Sequence, residues 1–164
     1  MTVEIRRAPA AFGDWELLVK LLQTAFAYQN GRIDPPSSVY GYDAESIAVK
    51  AKDETLFLAV DDGELVGCIF AKLQPGSLYV GKLAVWPRRQ GQGVGRRLMQ
   101  AAEDFARQTG HVALELDTRI ELTENHDVFA ALGFVKTAER AHDGYDHATF
   151  ITMRKPITMR SPLH

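Results

Sequence analysis

A chain of 164 residues, 46% hydrophobic and 24% charged, is long enough to bury one sizeable core and shows no composition break that would divide it; residues 1–158 read as one domain and 159–164 as a C-terminal tail. The formal net charge of −2 excludes the large basic excess on which nucleic-acid binding is built, and no stretch approaches the roughly 18 apolar residues of a membrane span. A single cysteine, Cys68, excludes an internal disulfide and sits in an apolar run that marks it as a buried thiol; the first residues lack the apolar stretch of a secretory leader, so the cytoplasm is the expected compartment.

Thr2 to Arg7 alternates Val3 and Ile5 with polar residues, the period-two pattern of a first strand. After Pro9 and Gly13, Asp14 stands as the N-cap of a helix whose Trp15, Leu18, Leu21, Leu22, Ala25 and Phe26 form one apolar face. The pattern dissolves from Ala27 to Gly41 into a long loop, with Tyr28, Arg32 and Tyr40 as its candidate contacts. A short helix is predicted from Asp43 to about Lys52, with Ile47 and Ala51 inward. Thr55 to Val60 and Leu65 to Leu73 form a hairpin around Asp61-Asp62-Gly63-Glu64. Pro75-Gly76 turns the chain into Leu78 to Val85, apolar enough for a strand buried on both faces, which Pro87 ends by withholding a ladder donor. Val94, Leu98, Ala101, Ala102 and Phe105 then recur at helical spacing up to a stop at Gly110. His111 to Thr118 is a further strand with Val112, Leu114 and Leu116 on one face. A helix from about Thr123 to Leu132 ends at Gly133, and Phe134 to Ala138 and Thr149 to Lys155 are the last strands. The predicted order is β-α-α-β-β-β-α-β-α-β-β.

The junction between the fourth strand and the longest helix reads Gln90-Gly-Gln-Gly-Val-Gly-Arg96. Gly91, Gly93 and Gly95 remove Cβ from the turn, so the backbone N–H groups of Gln92 to Arg96 can converge on an anion at the positive end of the helix. Arg88, Arg89, Arg96 and Arg97 add mobile charge around it. A P-loop requires Lys-Ser or Lys-Thr after its last glycine, where this chain has Arg96-Arg97; a dinucleotide fingerprint requires a third glycine where Arg96 stands. Gln90-x-x-Gly93-x-Gly95, following Leu83-Ala84-Val85-x-Pro87, instead resembles the acetyl-CoA pyrophosphate turn of the GNAT superfamily of N-acetyltransferases. Asn125-His-Asp-Val-Phe-Ala-Ala-Leu-Gly-Phe134 is similar to a second pattern of that family, in which Asn is followed by Tyr and then Leu-Gly-Phe or Leu-Gly-Tyr. The resemblance covers nearly the whole chain and implies an α/β domain with a central, mostly antiparallel sheet of about seven strands flanked by helices.

That resemblance implies transfer of an acetyl group from acetyl-CoA, as cosubstrate, to a primary amine by direct attack in a ternary complex. It assigns cofactor contacts to Leu83, Ala84 and Val85, through the backbone of a strand splayed from its neighbour. It assigns others to Gln90, Gly91, Gln92, Gly93, Val94, Gly95 and Arg96 in the turn, and to Asn125 and Phe129. An N–H near Leu83 would face the thioester oxygen as an oxyanion-hole element. The family's usual residue at Phe129 is a tyrosine that protonates the departing thiolate; phenylalanine has no proton to give, and Tyr145 in the last loop is the candidate substitute. Many members carry a glutamate before the Leu-Ala-Val unit, where this chain reads Leu78-Tyr79-Val80-Gly81-Lys82, so Tyr79 is the candidate to bind a water that carries the amine proton away. Tyr28 and Arg32 are expected to shape the acceptor pocket, Arg32 suiting an acceptor that also bears a carboxylate or phosphate. The loop Arg140 to His147 matches no common zinc spacing, and no metal is expected; it reads as a lining of the substrate mouth or a homodimer contact. A small-molecule amine is the expected acceptor. A non-catalytic acyl-CoA-binding module is the alternative, and thiol release separates the two.

Overall fold

The computed structural model describes residues 2–158, so the predicted tail at 159–164 lies outside the described residues. Strands β1 (Val3–Arg7), β2 (Thr55–Asp61), β3 (Glu64–Leu73), β4 (Ser77–Val85), β5 (Ala113–Arg119), β6 (Val135–Arg140) and β7 (Phe150–Pro156) form one sheet in the order β1-β2-β3-β4-β5-β7-β6. Helices α1 (Trp15–Ala25), α2 (Ala44–Asp53), α3 (Val94–Gln108) and α4 (Thr123–Ala131) complete the predicted order, and short 3₁₀ turns occupy Ala27–Gln29, Ser38–Gly41 and Pro87–Arg89. Among the described residues, β4 with β5 is the only parallel pair. Every other neighbouring pair is antiparallel.

Each element follows from local chemistry. The β2–β3 turn places Asp62 at φ 50° and Gly63 at φ 82°, the paired positive dihedrals that a two-residue hairpin needs to match strand twist. Helix α2 starts on a capping box: the Asp43 carboxylate accepts the Ser46 N–H at 2.8 Å and Ser46 Oγ accepts the Asp43 N–H at 3.0 Å. At α1 the expected cap is not made. Asp14 stands at the N-cap position, but its side chain caps no backbone N–H, and the helix is held instead by burial of Leu18, Leu21, Leu22 and Ala25. Strand β5 begins at Ala113, one residue after Val112, whose side chain is 53% exposed while Leu114 and Leu116 are buried. Val112 is therefore not part of the inward face.

Helix α3 lies on one face of the sheet, where Phe105 packs edge-to-face on Phe57 at 5.6 Å. The neighbouring position on β3, Phe70, faces the other side and lies under the Lys50 ammonium of α2 at 5.1 Å. Gly67 makes the close approach of α3 possible: a Cβ there would come within 2.9 Å of the Ala84 carbonyl and 3.1 Å of Leu98. Cys68 is fully buried as expected, and burial pushes its thiol up to about 12, far from reactivity at neutral pH. Among the described residues no helix is long and apolar enough to cross a membrane.

Candidate active site

The glycine turn is built as an anion cradle. Gly91 and Gly93 adopt φ 79° and 84°, so the chain reverses with backbone donors on one side and enters α3 at Val94. The first helical bond runs from Arg97 N–H to the Gly93 carbonyl at 3.1 Å. The N–H groups of Gln92 to Arg96 have no protein acceptor among the described residues, and they sit at the positive end of the longest helix. Gln90 braces the turn, its amide donating to the Val85 carbonyl at 3.1 Å. The arginines divide differently from the sequence expectation of four mobile charges. Arg88 pairs with Glu64, Arg89 pairs with Asp61, and Arg97 donates to the Val3 carbonyl at 2.7 Å. They clamp the β2–β3 hairpin and β1, leaving Arg96 exposed at the turn with no ion-pair partner among the described residues.

Beside this turn the sheet opens. The β4–β5 ladder pairs Ser77 with Ala113, Leu78 with Leu114 and Tyr79 with Glu115, and then stops, although both strands continue. Among the described residues, β4 from Val80 onward pairs only with β3, and its other edge is unpaired. The β3–β4 register moves from Cys68 opposite Ala84 to Phe70 opposite Gly81, so Lys82 and Leu83 together face Ile69. This is a β-bulge, and Lys82 takes φ 53°, a strained conformation for a residue with a Cβ. A cavity of about 600 Å³ occupies the gap and is lined by residues of β4, β5, α4, the loop after α1 and the β6–β7 loop.

The polar wall of the cavity is organised in pairs. Tyr79 donates its hydroxyl to Asp117 at 3.1 Å, and the Thr152 hydroxyl donates to the same carboxylate at 2.7 Å. Burial, reinforced by the Asp117 charge, holds the Tyr79 phenol well above its ordinary range, so it stays protonated. Lys50 and Glu54 form an ion pair at 2.7 Å. Lys82 directs its ammonium to Ser38 Oγ at 2.7 Å, and burial, with the charges of Lys50 and Arg119 adding to it, brings its pKa down to about 8. Arg119 donates to the Pro35 and Pro36 carbonyls at 2.6 and 3.2 Å. His142 packs on Phe150 at 5.0 Å with Nδ1 against the Thr149 hydroxyl, and burial lowers its pKa, which keeps the imidazole neutral at pH 7.

The residues singled out from sequence fall into two groups. Leu83, Asn125, Phe129, Tyr79 and Tyr28 all line the cavity. Asn125 donates to the Tyr28 hydroxyl at 2.9 Å, joining α4 to the loop after α1, and Phe129 packs edge-to-face on Phe134 at 5.9 Å. Ala84 and Val85 are buried on the β3 side of the same strand. Arg32 and Tyr145 stand outside the cavity lining. Arg32 forms a two-pronged pair with Glu124 at 2.7 and 2.8 Å and lies 6.0 Å from the Tyr28 ring; Tyr145 donates to Asp34 at 2.6 Å. The residues that sequence reasoning left without a role are Lys82 and Arg119. A lysine inside the otherwise apolar run from Leu78 to Val85 was the available signal.

A sheet parted beside an anion-binding turn at a helix N-terminus is the frame of an acyl-CoA-dependent transferase. The family model described as the acetyltransferase (GNAT) family matches residues 15–134, and the chain belongs to that family. It is 37% identical over 92 residues to an aminoglycoside N(6')-acetyltransferase type 1 from Stenotrophomonas maltophilia, a match covering 50% of this chain and 60% of that protein. It is 28% identical over 144 residues to an IAA acetyltransferase from Azospirillum brasilense, covering 87% of this chain and 92% of the relative. Among solved structures, the PaiA N-acetyltransferase of Thermoplasma acidophilum in complex with coenzyme A superposes with a TM-score of 0.76 at 19% identity, over 95% of this chain and 99% of that one. A GNAT family acetyltransferase from Elizabethkingia anophelis with acetyl-CoA bound gives 0.72 at 20% identity, again over 95% and 99%.

Proposed function

We propose that this chain is an acetyl-CoA-dependent N-acetyltransferase acting on a primary amine of a small molecule. The observation that carries this reading is the end of the β4–β5 ladder at Tyr79 and Glu115, where a cavity opens next to the glycine turn. Acetyl-CoA supplies the activated acetyl thioester. The N–H groups of Gln92 to Arg96 hold its diphosphate, and the free edge of β4 at Leu83 to Val85 holds the pantetheine arm. The N–H of Leu83 faces the thioester oxygen, and Asn125 and Phe129 bound the arm from α4. The acceptor nitrogen attacks the carbonyl carbon, the carbon–sulfur bond breaks, the nitrogen loses a proton and the thiolate gains one. Tyr79, kept protonated beside Asp117, orders the water that takes the amine proton rather than acting as a base itself. The cavity volume of about 600 Å³ is in the range of small-molecule sites and supports a compact acceptor.

Phe129, together with the absence of a glutamate from Leu78 to Lys82, favours a second reading, a module that binds acyl-CoA without turning it over. Thiol release from acetyl-CoA across a panel of amines and peptides decides between them: release with a small amine supports the transferase, release with peptides alone moves the acceptor to protein, and none with any acceptor leaves the binding module. Phe129→Tyr restores the missing hydroxyl. It is expected to raise kcat by no more than about threefold, because a thiol with a pKa near 8.5 leaves adequately as thiolate. Steady-state kinetics with the best amine checks this, and a gain of a hundredfold shows that thiolate protonation limits the wild-type enzyme.

A further inference from the structure

Resting on that reading, we infer that the acceptor carries a carboxylate as well as its amine, and that Lys82 and Arg119 recognise it from opposite lips of the parted sheet. Both side chains line the cavity. Lys82 projects from the bulge of β4 beyond Tyr79, the last paired residue on that strand, and Arg119 ends β5 beyond Glu115.

Among the described residues neither cation makes an ion pair. Lys82 is bonded to a hydroxyl, Ser38 Oγ, and Arg119 to two backbone carbonyls. The other charges of the cavity are satisfied without them: Lys50 by Glu54, and Asp117 by the hydroxyls of Tyr79 and Thr152. Asp34 and Glu121, the carboxylates near Arg119, are engaged by the Tyr145 hydroxyl and by the Asp34 N–H. The wall therefore presents two cationic donors whose hydrogen-bond partners are neutral, Asp34 and Glu121 acting on Arg119 only through space, and a carboxylate is the ligand that completes them; guanidinium and ammonium bonds to an anion are about twice as strong as those to a neutral oxygen. The same wall opposes a polycationic acceptor. Arg32, the cation expected from sequence to take this role, is already paired with Glu124.

The charge state agrees. The Lys82 pKa is lowered to about 8 by burial first and then by Lys50 and Arg119, with Glu54 acting the other way; Asp117 and His142 also line the cavity. The ammonium is thus present below pH 8 and is lost as pH rises through it, and a bound carboxylate raises the pKa again by linkage.

The test is calorimetric binding to the CoA-saturated enzyme at pH 7 of amines matched with and without a carboxylate: β-alanine against ethylamine, phenylalanine against phenethylamine. The expected result is that the carboxylated member of at least one pair binds about tenfold or more tightly. Lys82→Asn, whose asparagine tolerates a positive φ, should erase the difference; Lys82→Arg should keep it, and Arg119→Gln should reduce it. Equal binding in both pairs, or a preference that survives unchanged in Lys82→Asn, overturns the inference. Thiol release is read in the same mixtures with acetyl-CoA in place of CoA. Discrimination without thiol release keeps the carboxylate site and removes the transferase reading; thiol release without discrimination does the reverse.

Discussion

Replacing Gly93 with alanine is expected to weaken acetyl-CoA binding by about tenfold or more. Gly93 sits at φ 84° and ψ 6°, and a Cβ in that left-handed region costs roughly 1–2 kcal/mol, enough for about a tenfold change in affinity. Space is not the obstacle, since no atom lies within 4 Å of the added methyl. The penalty is conformational: the exposed turn relaxes away from positive φ in the free protein and has to be driven back when the donors of Gln92 to Arg96 converge. Thermal stability without ligand should therefore change little, while the acetyl-CoA dissociation constant rises. Gly95→Ala is the control. That position lies inside α3 without a positive φ, and its nearest neighbour is the Leu83 side chain at 4.0 Å, so binding should stay within about threefold of wild type. Wild-type affinity in Gly93→Ala shows that the diphosphate is held elsewhere.

Gly67→Ala is expected to damage the fold and the site together. The new Cβ meets the Ala84 carbonyl at 2.9 Å, the Leu98 side chain at 3.1 Å and Val85 at 3.4 Å. The first of these is backbone, so β3 and β4 must separate or α3 must lift. Overpacking of this kind costs about 1–3 kcal/mol, which in a domain of this size lowers Tm by roughly 2–12 °C. Because the displaced strand carries Leu83, kcat should fall more than acetyl-CoA affinity, which depends on the turn beyond Trp86. Thermal unfolding and steady-state kinetics on one preparation measure both. An unchanged Tm shows that the β3–β4 pair yields freely, and that the bulge beside it is not a fixed geometry.

The glycine turn of the candidate site was legible because its geometry is local. Gly91 and Gly93 mark backbone conformation directly, and Pro87 marks the end of β4, so a short run of residues specifies strand, turn and helix entry. The hairpin at Asp62-Gly63 was readable for the same reason, whereas the helix from Asp43 was predicted without the capping box that starts it. The polar wall of the cavity was not legible, because it is assembled from the ends of segments distant in sequence. Arg119 meets Pro35 and Pro36, and Lys82 meets Ser38, across separations that no periodicity records. Lys82 was also hidden by the bulge, since strict alternation from Leu78 misstates which way residues after Gly81 point. Arg32 drew attention as a loop cation, and only the fold reveals its pairing with Glu124. Val112 misled through alternation carried one residue beyond the strand.

The segment from Tyr28 to Ser38 is fastened at its rim by side chains: Tyr28 by Asn125, Arg32 by Glu124, Asp34 by Tyr145, and Ser38 by Lys82. The glycine turn is fastened elsewhere, to β4 through Gln90 and to β1 through Arg97. The two sets of fastenings share no residue, so a change of length or sequence between Tyr28 and Ser38 reshapes one wall of the cavity while the backbone of the glycine turn keeps its own anchors.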